Sequence, residues 1–423
     1  MKLNLGRDFW IYRIGQFVSA LGDGCLNVGF MWWVLDVTNS AAAASFIMFP
    51  SMFTRVFLMP LFGPVGDRFK RKYIVAISDL WRGILIATLG ILALNGMFKK
   101  DILVVIFVLA AVGTALYNCV YFSIVPQLVS KENLDEAIRQ TNAVQSFSNI
   151  AGFLFGGFFV SLFGYKWAFI FDGITFFMAG LLSLSIKPDT SPSFDSTKDK
   201  KFGFSLWFDD LKSGIKFISS IKVLLYTSIL SSILTFFFAS FNFAFPLLAK
   251  NILKMPAWFF SMLMVSVSVG SIIGSLSSKH FLKYYIDKEI IGSHIIIGFL
   301  IFIFCVFKNP YFSLTTLFLI GFVSGVVSTL LSVNINTAVP EKYRSRYYSL
   351  SGFINSITAP IGVAIFGPLF DKLGFTLVME ICAVSCIIVG LGYIYVSDFV
   401  RFCRASKQDL STFFIKTYPK AFD

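Results

Sequence analysis

Gly63-Pro-Val-Gly-Asp-Arg-Phe-Lys-Arg-Lys72 is the stretch that decides how this chain is read. It holds Arg68, Lys70, Arg71 and Lys72 beside the single acid Asp67, and it joins two apolar runs, 43–65 and 73–95. Each run is long enough to cross a hydrocarbon layer, which takes about 20 apolar residues in a helix. A densely basic turn between two such runs marks a cytoplasmic loop, because Lys and Arg accumulate on that side of a bilayer.

Working outward, the same pattern recurs along the chain. Membrane-spanning helices are expected at 9–35, 43–65, 73–95, 102–125, 142–163, 168–186, 222–248, 257–278, 291–307, 312–335, 348–369 and 375–396. The run 142–163 begins with polar TNAVQSFSN, and 291–307 is short, so both are expected to tilt or to line a cavity for part of their length. Composition agrees. Of 423 residues, 56% are hydrophobic and 14% charged, against about 25% charged in soluble domains. A soluble fold could not hide that much apolar surface from water.

With both termini inside, the cytoplasmic segments hold 25 Lys and Arg and the outer loops hold 7; Arg13, Arg55, Arg82 and Lys222 fall within spans. This asymmetry explains the net charge of +13 without nucleic acid, which is not an expected partner. The six Cys are scattered with no Cys-x-x-Cys, and His280 and His294 sit apart, so neither a disulfide framework nor a metal site is expected. Asp23 within the run Gly-Asp-Gly interrupts the first apolar stretch, and no cleavage pattern follows, so the first helix is expected to stay in the mature protein.

The longest loop, 187–221, opens on polar KPDTSPSFDSTKDKK. Phe204, Leu206, Trp207, Leu211, Ile215 and Ile218 follow at roughly helical spacing, as in an amphipathic helix lying at the cytoplasmic surface. The expected organisation is therefore a six-helix half over 1–186, this linker over 187–221, a second half over 222–400 and a cytoplasmic tail over 401–423. The halves repeat faintly. Gly152, Gly157 and Gly164 are matched 210 residues later by Gly362, Gly367 and Gly374, and each set follows a Val-Pro, at 125–126 and 339–340. Small residues at such spacing let helix backbones approach closely.

Gly63, Asp67, Arg68, Arg71 and Lys72 resemble the cytoplasmic signature of the major facilitator superfamily, G-x-x-x-D-R-x-G-R-R/K, with Lys70 where that pattern has Gly. A second copy is expected between spans eight and nine. There Gly274-Ser-Leu-Ser-Ser-Lys-His-Phe-Leu-Lys283 is degenerate, with Ser278 in place of the acid. A narrower resemblance, to the macrolide-efflux and enterobactin-exporter branch, rests on VPQLVSKENLDEAIRQTNAVQS at 125–146, GDG at 22–24, ISDLWRG at 77–83, and VPEKYRSRYYSL at 339–350 leading through Pro360 to GPLFDKLG. The resemblance implies an all-α polytopic protein of major facilitator type, with twelve helices in two six-helix halves around a central cavity. It implies export of drugs or siderophores by a proton antiporter working by alternating access. In the resembled family the acid of the signature contacts the start of span eleven, here near Tyr347–Ser349, and clamps the cytoplasmic side. An anion at a helix N-terminus is favoured by the free N–H groups there, and Arg71 can hold Asp67 in place. Read blandly, the same run is only a topology signal.

Ionisable groups inside spans cost about 2.5–3.5 kcal/mol near a helix centre, so they are informative. Asp23 lies 14 residues past Phe9, about 21 Å along a helix, between Gly22 and Gly24, which permit a bend or close packing. It is a candidate for proton or cation coupling; a structural pair with an Arg or a wet outer mouth is the bland reading. Arg55 is a candidate contact for an anionic group in the cavity, or an interhelical ion pair. Asp79 and Arg82 are three apart, hence on one helix face, and read as a pair before they read as substrate ligands. Arg13 is near the inner end and can snorkel. Lys222, Asp172 and Glu380 are near ends within reach of water. Asn27, Asn118, Gln145, Asn149 and Asn242 are weaker cavity candidates, and the Phe-rich run TFFFASFNFAF in span seven reads mostly as packing.

No Ser/His/Asp set, HExxH or GxxxxGK[ST] occurs, which argues against an enzyme and against a pump with its own ATPase. No cofactor is expected; the proton gradient is the expected energy source. The expected partners are a small-molecule substrate and the lipid bilayer. Nothing compels an oligomer, so a monomer in a bacterial inner (plasma) membrane is expected. A lipid or small-metabolite carrier of the same fold, and a non-transporting receptor or scaffold, are the competing readings. Orientation is directly testable. A cysteine introduced at Ser196 should resist a membrane-impermeant maleimide in intact cells and react after lysis; labelling before lysis would reverse the topology.

Overall fold

The computed structural model describes residues 5–422, except 98, 122, 188–211, 213–214 and 281–285; within helices, the side chains at 60, 63, 64, 67, 345, 346, 349, 407 and 420 are also outside the description. Most of the expected cytoplasmic amphipathic helix lies outside the described residues. Of it, Ile215–Ser220 is helical, with Ile218 buried and Ile215 exposed.

Eleven helices among the described residues are long and apolar enough to span a membrane. They are α1 (Arg7–Thr38), α2 (Ala41–Arg68), α3 (Arg71–Leu94), α4 (Lys100–Val120), α5 (Leu134–Phe163), α6 (Tyr165–Leu184), α7 (Lys222–Phe238, continued by Phe241–Leu247), α8 (Ala257–Ser277), α9 (Ile286–Val306), α10 (Pro310–Ala338), and the run Glu341–Gly392. That last run of 52 residues is broken at Gly374, with φ 78° and ψ 171°. The break separates α11 (341–373) from α12 (375–392) and brings the spans to twelve. Helices are the form this chain must take where water is absent, because each backbone N–H and C=O then finds its partner within the segment.

Several ends follow from local chemistry. The Ser40 hydroxyl caps α2 by accepting from Ala43 N at 3.1 Å. Asn309 caps α10 by accepting from Tyr311 N at 3.0 Å, with Pro310 in the first turn, where its missing N–H costs nothing. α5 starts eight residues earlier than its apolar run, at Leu134. Span seven, expected as continuous over 222–248, is instead interrupted after Phe238; a short helix containing Pro246 follows, and then a π-turn over Leu248–Ile252. Pro246 cannot donate to the Asn242 carbonyl and crowds the turn before it, which weakens the short helix at that point.

The chain divides into two compact units: Met1–Phe202 with Lys254–Met262, and Gly203–Leu253 with Leu263–Asp423. In the first, glycines set the closest helix contacts. Gly24 of α1 lies on the Gly152 backbone of α5, Gly152 lies on the Ala20 carbonyl, and Gly156 lies on the Gly24 carbonyl. Gly22 faces the other way, against Asp172 and Thr175 of α6. In the second unit Gly362 of α11 meets the Phe236 carbonyl of α7 in the same manner. The α8–α10 pair is built likewise, with Gly270 and Gly274 on the carbonyls of Phe318 and Phe322.

The faint repeat is therefore structural. Gly164 joins α5 to α6 at φ 80°, ψ 167°, and Gly374 joins α11 to α12 in nearly the same conformation. A positive φ of this kind strains any side-chain-bearing residue. Gly180 of α6 packs on Ala76 and Leu80 of α3, while Gly390 of α12 packs on Ile291 and Ile295 of α9. The two units thus share a register, offset by 210 residues for α6/α12 and by 215 for α3/α9.

The C-terminal residues expected as a tail form α13 (Phe399–Arg404), α14 (Lys407–Leu410) and α15 (Phe413–Thr417). They pack within the second unit: Phe399, Phe402 and Phe414 are buried, Phe217 stacks on Tyr343 at 4.9 Å, and Phe422 meets both rings edge-on. Arg404 donates twice to the Asp287 carboxylate, at 3.0 and 2.8 Å. The Tyr418 hydroxyl donates to Asp398 at 3.0 Å, and burial together with that contact pushes its phenol pKa up.

The glycine contacts carry a stability prediction. A Cβ at Gly24 would overlap the Gly152 backbone, which cannot rotate away. Gly24→Ala should cost about 1–3 kcal/mol through overpacking and lower the melting temperature of the purified protein. Gly292→Ala, where a Cβ meets nothing within 4 Å, is the control; equal melting of the two variants would refute the close-contact reading.

Candidate functional site

Within the first unit the polar side chains of five helices converge. α1 presents Gln16, Ser19, Asp23 and Asn27 at three- and four-residue intervals, hence along one stripe. α4 contributes Tyr117 and Asn118, α5 contributes Gln145 and Asn149, and α3 contributes Arg82. They line a cavity of about 390 Å³. An adjoining cavity of about 430 Å³ shares Asp23, Asn27, Arg82, Asn118 and Asn149 and adds Arg55 from α2. The expected charges Asp23, Arg55 and Arg82 thus meet at one polar hollow, and four of the five weaker candidates line it. The fifth, Asn242, instead donates to the Ala239 carbonyl in its own turn, at 3.0 Å.

Asp79 sits behind this hollow, 3% exposed, and is ion-paired with Arg82, as the i, i+3 spacing requires. The Arg82 guanidinium is held on several sides. It lies 4.2 Å from the Phe176 ring centroid and 4.8 Å from that of Tyr117, and its Nε donates to the Ser78 carbonyl at 3.4 Å. Cation–π contacts of this sort fix a guanidinium where water cannot. Asp79 is thereby satisfied by its own helix, and Asp23 approaches the same cation from the cavity side.

Two expectations are overturned here. Asp172, read as near a span end within reach of water, is fully buried. α6 begins at Tyr165, so Asp172 is two turns deep, and it is pressed against Gly22 of α1. The Thr175 hydroxyl donates to its carbonyl at 2.8 Å, while Oδ2 finds no hydrogen-bond partner among the described residues. The apolar letters on both sides of it, in AFIFDGITFF, were the signal that could have placed it in the bundle. Arg13, expected to snorkel, is 2% exposed instead. The Phe9, Tyr12 and Tyr121 rings surround it at 5.7, 4.6 and 5.6 Å, because α1 starts at Arg7 and its first turns are covered by the end of α4.

Of the gate residues, Arg68 is exposed. Arg71 Nη1 donates to the Ser123 carbonyl at 2.5 Å, and Lys72 Nζ donates to the Ile186 carbonyl at 2.9 Å. These two basic groups tie the loop to the ends of α4 and α6 within the first unit. Gly63 is helical; the side chain of Asp67 lies outside the described residues, and so does its expected contact with the start of span eleven.

The second unit holds a cavity that the sequence reading did not anticipate, of about 450 Å³. Thr227, Ser231 and Thr235 of α7, Ser324, Ser328 and Ser332 of α10, and Tyr347, Ser351 and Asn355 of α11 line it. Each trio is spaced i, i+4, i+8, which sets one polar stripe on each helix, and that spacing was the available signal. His294 of α9 also faces it, buried, with Nδ1 at 2.7 Å from the Ile290 carbonyl. In the register shared by the units His294 stands where the first has Asp79, and Cys382, beside Ser240 at 3.2 Å, stands where it has Asp172.

Comparison with known proteins completes the description. The family profile of the Major Facilitator Superfamily matches residues 14–363. The chain is 22% identical over 380 residues to macrolide efflux protein A of Streptococcus pyogenes, covering 86% of this chain and 90% of that one. It is 21% identical over 409 residues to the multidrug efflux pump Tap of Mycolicibacterium fortuitum, covering 92% and 95%. Among solved structures, the nucleoside transporter NupG superposes with a TM-score of 0.71 at 13% identity, over 95% of this chain and all of that one. A bacterial homologue of the iron transporter ferroportin, in an inward-facing state, superposes with 0.72 at 14% identity, over 94% and 99%. At such identities the structures speak for the twelve-helix fold alone, whereas the profile spans most of the chain. This chain is a multi-pass membrane protein that belongs to the Major Facilitator Superfamily, a secondary transporter working by alternating access.

Proposed function

We propose that the chain is a proton-coupled exporter of drug-like or siderophore-like small molecules, of the macrolide-efflux kind. The observation that carries the reading is the position of Asp23. It lines a polar hollow beside a guanidinium whose charge Asp79 already balances. Asp172, pressed against the neighbouring Gly22, adds a third carboxylate to the two guanidiniums Arg82 and Arg55, so one acid there is in excess of the available cations. In a low-dielectric bundle an uncompensated carboxylate is costly, and binding a proton removes that cost. When the hollow opens to water and the cluster loosens, the same group releases its proton. A chain without an ATP-hydrolysing signature needs such a group if it is to move substrate uphill. The names of the similar efflux proteins from Streptococcus pyogenes and Mycolicibacterium fortuitum support export as the direction. In this reading Arg55, exposed on α2, meets an anionic or carbonyl-bearing part of the substrate.

The proposal keeps the organisation drawn from the charge pattern: halves over 1–186 and 222–400, a cytoplasmic linker between them, and both termini inside a bacterial plasma membrane. It also keeps the Asp67 carboxylate as a clamp on the start of α11 when the cytoplasmic side is closed, with Arg68, Arg71 and Lys72 fixing the loop.

Two variants test these roles. Asp23→Asn should abolish gradient-driven efflux from drug-loaded cells or vesicles while leaving downhill exchange measurable, and Asp23→Glu should keep part of the coupled activity. Uphill efflux by Asp23→Asn with the wild-type dependence on external pH would end the coupling role. Asp67→Asn should cut transport at least about tenfold, equivalent to losing one charge-assisted contact worth ~1.5–3 kcal/mol, with membrane expression nearly unchanged. Wild-type transport by that variant would remove the clamp.

A further inference from the structure

We infer that the cavity of the second unit binds an uncharged, hydroxyl-bearing group of the transported molecule, such as a glycosyl or polyol moiety on an apolar scaffold. The inference rests on the transport reading but not on proton coupling. Its volume, about 450 Å³, falls within the ~300–1,000 Å³ of small-molecule pockets.

The cavity is polar without being charged. No Asp, Glu, Lys or Arg lines it among the described residues. An ammonium or carboxylate placed there would be desolvated with no opposite charge to compensate it, which is strongly unfavourable. A neutral polar group meets no such penalty if its hydrogen bonds are returned.

What the walls offer is set by hydrogen bonds already made. The Thr235 hydroxyl donates to the Ser231 carbonyl at 3.0 Å, and the Ser328 hydroxyl donates to the Gly325 carbonyl at 3.2 Å. Their protons are engaged by their own helices, so each oxygen presents lone pairs to the hollow. His294 follows the same logic. Its Nδ1 lies 2.7 Å from the Ile290 carbonyl, which can only accept, so Nδ1 carries the proton and the neutral ring keeps Nε2 as an acceptor. Asn355 complements them: the Ser232 proton is engaged by the Ser228 carbonyl at 2.8 Å, so the Asn355 Oδ1 accepts from the Ser231 hydroxyl at 3.5 Å, leaving its NH₂ to donate. Several acceptors and one amide donor, carried on four helices and separated by apolar side chains such as Leu234 and Leu331, suit a ring bearing several hydroxyls. Each hydroxyl gives one hydrogen bond and can take another.

Binding to the full-length protein in phospholipid nanodiscs, followed by calorimetry with no gradient imposed, tests the inference. The probes are phenyl β-glucoside, its per-O-methyl derivative, which has the same acceptors and no donor, and phenethylamine as a cation. The glucoside should saturate at millimolar concentration. The methylated compound should bind at least about tenfold more weakly, as expected for one or two lost hydrogen bonds. Thr235→Val with Ser328→Ala, and separately His294→Phe, should each weaken glucoside binding by a similar factor with unchanged melting temperature. If one variant melts early, the other decides. Equal binding of the methylated probe, preference for phenethylamine, absence of saturable glucoside binding, or wild-type affinity in a well-folded variant would each overturn the assignment. Failure of Asp23 coupling would leave all of these outcomes as they are, so the two readings can fail independently.

Discussion

The contact on which the first unit depends is that of two helix backbones without side chains between them. Gly24 and Gly152 let α1 and α5 approach until the carbonyl of one lies on the Cα of the other. Between helices in lipid there is no hydrophobic effect to exploit, so dispersion and close approach supply the attraction. The consequence reaches the chemistry. With Gly24 against α5 and Gly22 against α6, the intervening Asp23 is aimed at the polar hollow, where Arg82 of α3 and Gln145 and Asn149 of α5 also point. A bulkier pair at 22 or 24 would not merely loosen the bundle; it would rotate the acid away from its cation.

Shared architecture and divided chemistry then coexist. The two units keep the same joints and the same small-residue contacts, yet the ionisable positions differ. The first has Asp79 paired with Arg82 and Asp172 buried against Gly22, and the second has His294, facing hydroxyls, and Cys382, beside Ser240, at the matching places. A repeat whose scaffold is retained while its polar residues diverge fits a molecule in which one half handles charge and the other handles neutral hydrogen bonding.

The spans were legible because a bilayer imposes a length and a composition on every one of them, and Gly152 to Gly374 revealed the repeat because backbone approach tolerates only small residues. The Asp79–Arg82 pair was legible because its geometry is local, set by three residues of one helix. What depended on a neighbouring helix was not. Asp172 looked hydrated when its depth was measured from position 168, but the added turn from Tyr165 and the absence of a side chain at Gly22 bury it. Arg13 looked free to snorkel until aromatic rings from α4 and its own helix closed over it. The hydroxyl stripes escaped because Ser and Thr are nearly neutral on a hydropathy scale and pass unnoticed inside an apolar run, although their four-residue spacing was in plain view.

The joints at Gly164 and Gly374 carry one more implication. Each helix pair they connect is linked by a single residue held in a left-handed conformation, with no slack on either side. Such a pair cannot slide lengthwise or change its register; it can only swing as one stiff lever about its own apex. The joint also leaves no connecting loop between the two helices, so a protease would find little non-helical chain there to seize. Any deformation during a transport cycle must then be taken up at softer places in the fold, and the break after Phe238 in α7 and the π-turn at Leu248–Ile252 are the points where the helical ladder is already open to it.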